Sequence, residues 1–238
     1  MITLATWNVL HRVHAENWGE DVLNSWPDES ERIAAVTERL VGRAEQVIAL
    51  QEVSGDQLAG LRRALTDRTV HTLRYPRVPA PRQDGPCSLR DPGEYLVLLV
   101  DGPSREVATV SFEDDRGKGA LAVEVAGTLI VATHVSGDQR RTRQLARLAE
   151  LAATPPGHAA VLLGDFNTDR ATVASALGTG FAVADLPSDA LPTRPHPSGS
   201  ASPWIDHVVV RGAGVSSAAV ESADGLSDHN LVRATITM

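Results

Sequence analysis

Apolar positions along the chain fall into short continuous runs that alternate with stretches of helical spacing. Ile2 to Trp7 reads as a strand, and so does Val47 to Leu50. The second is apolar at every position, as a strand covered on both faces must be. Between them Ile33, Val36, Leu40 and Val41 recur at helical spacing, which predicts a helix over 30–44 with Asp28, Glu29 and Glu31 near its positive end. Leu58, Leu61 and Leu65 mark another helix. A loop is expected over 75–93, with prolines at 76, 79, 81, 86 and 92. Four strand candidates follow at 95–100, 107–112, 120–125 and 128–133, the last two close enough for a hairpin. A helix over about 139–153, a buried strand at 161–163 and a short helix near 171–177 come next. A Pro/Ser/Gly-rich loop over 187–203 precedes three strands at 205–210, 215–220 and 231–237.

About ten strands thus lie in two groups, with helices in each half and no internal repeat. Two packed mixed β-sheets flanked by helices would bury them in one core, an α/β fold. No linker divides the chain, so a single domain over 1–238 is expected.

Composition narrows the class. Of 238 residues, 42% are hydrophobic and 22% charged, which argues against a disordered or fibrous chain. No apolar stretch approaches the roughly 20 residues of a membrane span. Met1 leads almost at once into a strand, without the basic opening of a secretory signal. The single cysteine, Cys87, excludes an internal disulfide and a cysteine-rich zinc site, and it has no partner that would make it a nucleophile. These features point to the cytoplasm, and no segment predicts a protein partner. The net charge of −8 disfavours tight non-specific binding to nucleic acid. It leaves a nuclease open, because bound cations reverse the field of clustered carboxylates.

The chemistry-bearing residues stand at strand ends: Asn8, Glu52, His134, Asp165 with Asn167, Asp206 with His207, and Asp228 with His229. Loops along one sheet edge can bring such residues together. Carboxylates with amide oxygens suit a hard cation such as Mg²⁺. Histidines and spare carboxylates beside it are what phosphoester hydrolysis needs.

Thr6-Trp7-Asn8, Leu50-Gln51-Glu52-Val53, Thr133-His134, Gly164-Asp165-Phe166-Asn167, Ile205-Asp206-His207 and Ser227-Asp228-His229 stand in a telling order. In this the chain resembles the endonuclease/exonuclease/phosphatase (deoxyribonuclease I-like) superfamily, across residues 6–229. The resemblance implies a four-layered α/β sandwich. It implies that Glu52 is the main Mg²⁺ ligand, with Asn8 and Asp228 close to the metal. Asp165 and Asn167 would position the attacking water and the phosphate. His229, oriented by Asp206, would be base or phosphate clamp. His134 would contact the phosphate from the other side and protonate the leaving group, with Glu94 supporting it.

Several residues stay open between two readings. Lys118 faces the phosphate or belongs to a turn. Arg140, Arg141 and Arg143 bind phosphate or form a solvated helix start. Trp18 and Trp26 stack on a base or pin a long loop, and His11 with His14 is a loop or substrate contact rather than a zinc site. His207 is read as structural. The expected activity is a Mg²⁺-dependent (or Mn²⁺-dependent) phosphodiesterase using direct water attack, without a covalent intermediate, on nucleic acid or a nucleotide diester. The alternative is a phosphomonoesterase acting on a small phosphorylated metabolite or lipid head group.

Overall fold

Along the central strands, alternate side chains face two different packing partners, because successive residues of a strand point to opposite sides. Leu4, Val47, Leu98, Leu121, Ile130, Leu163 and Val208 fill one layer, which lies between two sheets. Ala5, Trp7, Ile48, Leu50, Val97 and Leu99 face the other way and pack on helical residues Val36, Leu40, Leu58 and Leu61. Val131, Leu162 and Val209 likewise pack on Leu145, Leu148, Val173 and Leu177. The result is helices, sheet, sheet, helices: the four-layered α/β sandwich. The computed structural model describes residues 1–82, 88–153, 157–195 and 203–238. Cys87, Pro86 and parts of both proline-rich loops lie outside those residues.

The elements run β1 (Ile2–Asn8), α1 (Arg12–Trp18), α2 (Val22–Ser25), α3 (Glu29–Val41), β2 (Val47–Ser54), α4 (Gly55–Ala64), β3 (Thr69–Arg74) and β4 (Glu94–Val100). Then come β5 (Ser104–Phe112), β6 (Asp115–Val125), β7 (Thr128–His134), α5 (Arg141–Ala152), β8 (Ala160–Asp165), α6 (Arg170–Leu177), β9 (Phe181–Val183), β10 (Asp206–Arg211), β11 (Gly214–Glu221) and β12 (Leu231–Thr237). Side-chain caps fix four of the helix starts, that of α1 through His11. Asp28 accepts from the Ser30 amide, Ser54 from Gln57, and Asp169 from Thr172.

One sheet has the order β11-β12-β1-β2-β4-β3 and the other β5-β6-β7-β8-β10-β9. Read in that order, the two share one sequence of pairings: antiparallel, antiparallel, parallel, antiparallel, antiparallel. This internal correspondence has no counterpart in the residues, which show no repeat. It places the ends of β1, β2, β7 and β8 and the starts of β4, β10 and β12 along one edge of the sandwich.

Four elements differ from the sequence reading. The stretch 9–30, expected as a long loop, contains α1 and α2. The first of these is only seven residues long, capped by His11 Nδ1 at one end and ended by Gly19 in the left-handed region at the other. Strands β3 and β9 were not expected either. Both are sheet edges, β9 has three residues, and β3 carries only one buried residue, Leu73. Among the described residues no helix is long and apolar enough to cross a membrane.

Candidate functional site

The strand-end motifs are held to one another by their non-chemical residues. Trp7 Nε1 donates to the carbonyl of His229 at 2.9 Å. Gln51 Nε2 donates to Thr6 Oγ1 at 3.1 Å, linking the ends of β1 and β2. Ser227 Oγ donates to the Asn8 carbonyl at 2.7 Å and accepts from the His229 amide at 3.1 Å. Gly164 lies at φ 151°, where an added Cβ would come 2.0 Å from the Thr133 carbonyl oxygen, so only glycine lets β7 and β8 close up here. Two site residues occupy the left-handed region themselves, Glu52 at φ 58° and Asn167 at φ 50°. Such backbone persists only where the surroundings over-determine it.

Asn8 lies at the centre. Its Nδ2 donates to Glu52 Oε1 and to Asp165 Oδ2, each at 3.2 Å, and its Oδ1 accepts from the Leu10 amide. Glu52 Oε2 also accepts from the His11 amide at 3.1 Å. His134 Nε2 stands 3.3 Å from Asp165 Oδ2, 3.9 Å from Glu52 Oε1, and in contact with Lys118 Nζ. His229 Nδ1 is 2.9 Å from Asp206 Oδ2, and its Nε2 is 4.0 Å from both Asp165 and Asp228. The Asn167 backbone amide donates to Asp165 Oδ1, and its side-chain Nδ2 donates to the Val135 carbonyl. A cleft of about 830 Å³ opens over this group, lined also by Trp18, Arg77, Arg82 and Arg194.

The charges reinforce one another. Burial works against ionised Glu52, yet His14, His134 and Lys118 hold its carboxyl well below the ordinary range. Asp165 is likewise kept low against burial, by His134 and His229. Burial would lower His229, but Asp206 and Asp228 outweigh it and push its pKa up to about 10.

The profile of the Endonuclease/Exonuclease/phosphatase family matches residues 5–229. The chain belongs to the endonuclease/exonuclease/phosphatase family. Its members are divalent-metal-dependent hydrolases of phosphoester bonds. No curated protein matches the chain by sequence. Among solved structures, a functionally unknown conserved protein from Enterococcus faecalis V583 is similar at 18% identity, over 99% of each chain, with a TM-score of 0.71. TDP2 from D. rerio, complexed with single-strand DNA product, is similar at 16% identity over 100% of this chain and 99% of that one, TM-score 0.70. The human Nocturnin catalytic domain with bound sulfate is similar at 16% identity over 99% and 94%, TM-score 0.71. At these identities the likeness speaks for the shared fold.

The donor chemistry fits the family's divalent ion. Two ionised carboxylates from different sheets, the partly buried Glu52 and the buried Asp165, are drawn to one amide, an oxygen-rich set of the kind hard cations prefer. Asp165, Asp206 and His229 form a second group close enough to hold a metal. There Asp206 is already engaged with His229 Nδ1, so the pair orients an imidazole instead.

Two expectations for this family site need correction. Glu94 does not support His134; it pairs with His14 Nε2 at 3.2 Å, because α1 brings that imidazole over the start of β4. His134 Nδ1 is buried without a partner among the described residues. Arg143 is exposed on α5 and is not among the residues lining the cleft. Residues 144, 145 and 148 form the buried face of that helix. Arg141 shares that face and donates to the Asn167 carbonyl at 2.9 Å, while Arg143 lies roughly 200° further round. Lys118, by contrast, faces the cleft. His207 is structural, its Nε2 2.8 Å from the Thr168 carbonyl. Sequence reasoning missed Arg194, which lies 2.9 Å from Asp228 and 3.3 Å from Glu20. No local pattern marks it, since Glu20 is far away along the chain.

Proposed function

We propose that the chain is a Mg²⁺-dependent phosphodiesterase that cleaves a nucleic acid or a nucleotide diester by direct attack of water on phosphorus. The observation that carries this reading is the Asn8 bridge between Glu52 and Asp165, at 3.2 Å to each, inside a cleft that Lys118, His134, Asp228 and His229 also line. Glu52, with Asn8 and Asp228 beside it, would hold the cation, and the same oxygen donors suit Mn²⁺. A divalent cation bound there supplies positive charge to the phosphate and to the developing charge on the leaving oxygen.

The protein's own groups do the rest. His229 is fixed through Nδ1 by Asp206 and is cationic at neutral pH, so it clamps a phosphate oxygen rather than acting as base. Asp165 stays ionised and, with Asn167, holds the attacking water and takes the proton it loses as its oxygen bonds to phosphorus. Lys118 binds phosphate, and His134 gives a proton to the leaving oxygen, a step that an alkoxide leaving group needs.

A base-bearing substrate is favoured by the rim. Trp18 is 58% exposed, and the Arg82 guanidinium lies over its ring, 4.0 Å from the centroid. Asn17 holds this rim together by donating to the Ala80 carbonyl and accepting from the Arg82 amide. Aromatic faces interleaved with arginines suit bases and their phosphates. The single-strand DNA in the similarly folded D. rerio TDP2 agrees with this choice.

The test is product release from plasmid DNA, single-stranded DNA, RNA, nucleotide diesters and phosphorylated sugars, with Mg²⁺, Mn²⁺ or chelator. Diester cleavage without free phosphate is expected, abolished by chelator and reduced at least about 10²–10³-fold in Glu52→Gln. Free phosphate from a small monoester, with diesters untouched, refutes the reading in favour of a phosphatase.

A further inference from the structure

Glu94 is a buried carboxylate that the mechanism above does not use. Its side chain is 0% exposed, and its Oε1 has no hydrogen-bond partner among the described residues. An ionised carboxylate in such a place costs several kcal/mol unless something compensates it. The compensation comes from His14, whose Nε2 lies 3.2 Å from Glu94 Oε2; Arg77 is further off, at 4.0 Å.

The two sheets explain where this pair stands. Glu94 is the first residue of β4 and Asp206 the first of β10, and these strands hold corresponding places in the two sheets. Asp206 backs His229 at 2.9 Å. Glu94 backs His14 in the same manner, from the other sheet. Each half therefore presents to the cleft one imidazole held from behind by a buried acid. His134 has no such support among the described residues.

The geometry points to His14 as a second substrate-contacting imidazole, donating from Nδ1 to a phosphate oxygen, with Glu94 as its positioning residue. This rests on the reading of the cleft as a phosphoester site. The His14 side chain is 20% exposed and lines the cleft with Glu52 and Lys118. An imidazolium donates from both nitrogens, so the bond to Glu94 leaves one donor for the substrate. Burial would lower the His14 pKa, but Glu52 and Glu94 more than reverse this and favour the charged ring.

The experiment titrates the metal-free full chain with inorganic phosphate and follows the histidine ring nitrogens by NMR. The His14 and His229 rings are both expected to shift with phosphate. Glu94→Gln should weaken the His14 response at least about tenfold (roughly what losing one charge-assisted hydrogen bond does) and leave His229 unchanged. If Glu94→Gln does not fold, His14→Asn carries the test. It should lower kcat/KM for the diester about 10²-fold with an unchanged Tm. A His229 shift with a motionless His14 overturns the assignment alone. No shift at any cleft imidazole overturns it together with the phosphoester reading.

Discussion

Replacing Arg32 by Met should be among the most damaging single changes to this chain. Arg32 is 3% exposed, and its guanidinium makes five hydrogen bonds. Nε and Nη2 grip the Glu29 carboxylate at 2.8 and 2.7 Å. Nη1 donates to the carbonyls of Val9 and Leu226 at 2.8 and 2.9 Å, and Nη2 to that of Leu10 at 2.7 Å. Every donor the side chain owns is used. Val9 and Leu10 follow Asn8, and Leu226 precedes Ser227-Asp228-His229, so one arginine on α3 ties together two loops of the site. Methionine fills similar volume but strands three carbonyls and leaves Glu29 with only Arg12, at 3.7 Å. Removing one partner of a buried pair costs about 3–5 kcal/mol. For a chain of this size each kcal/mol lowers Tm by about 2–4 °C, so a drop of roughly 6–20 °C is expected by calorimetry. Arg32→Lys should fall between, keeping the charge and losing the fork. Adding Glu29→Gln to Arg32→Met should recover part of the loss, because it removes the poorly paired charge. A Tm for Arg32→Met within about 2 °C of the parent would sink the argument.

Three more outcomes follow from particular contacts. His229, raised from 6.5 to about 10 by Asp206 and Asp228 despite burial, adds stability that is fully present below its unfolded pKa. That contribution should fade as pH rises from about 6.5 through about 10 in chelator, and the Tm gap between the parent and His229→Gln should close over the same window. Trp18→Ala should raise KM for a base-bearing diester about 5- to 150-fold, the equivalent of about 1–3 kcal/mol of stacking. A diester without a base should be unaffected; equal losses on both would remove the stacking role. Gly164→Ala drives a methyl to 2.0 Å from the Thr133 carbonyl and should cost about 3 kcal/mol or more while displacing Asp165. Parent-like stability and turnover would show that β7 and β8 can part more easily than their packing suggests.

What could be read from the residues alone follows from which forces act locally. The long apolar runs such as Val47 to Leu50 declare strands buried on both faces, and both packing partners exist. The strand-end motifs were legible because each is a short local pattern with chemistry in it. Helix α1 was not, since its seven residues hold only two buried ones, Val13 and Ala15, and no apolar stripe. With that helix unseen, the partner of Glu94 could not be foreseen, and His134 stood in for His14. Arg143 and Arg141 are separated by helical phase alone, which the buried Leu145 and Leu148 already encode. Arg194 depends on Glu20 and Asp228, contacts that only the tertiary fold creates.

The sheet that carries Asn8 and Glu52 takes two of its six strands, β11 and β12, from the far end of the chain, whereas the other sheet is continuous from β5 to β10. During synthesis at about 5–20 residues per second, β1 therefore waits roughly 10–50 s for its neighbour β12. Until then one side of an apolar strand stands as an open edge, inviting wrong pairing. The continuous sheet can close meanwhile and offer its inner face as a template. On the ribosome, this protein should gather its catalytic residues late, and in the same event that seals its most vulnerable edge.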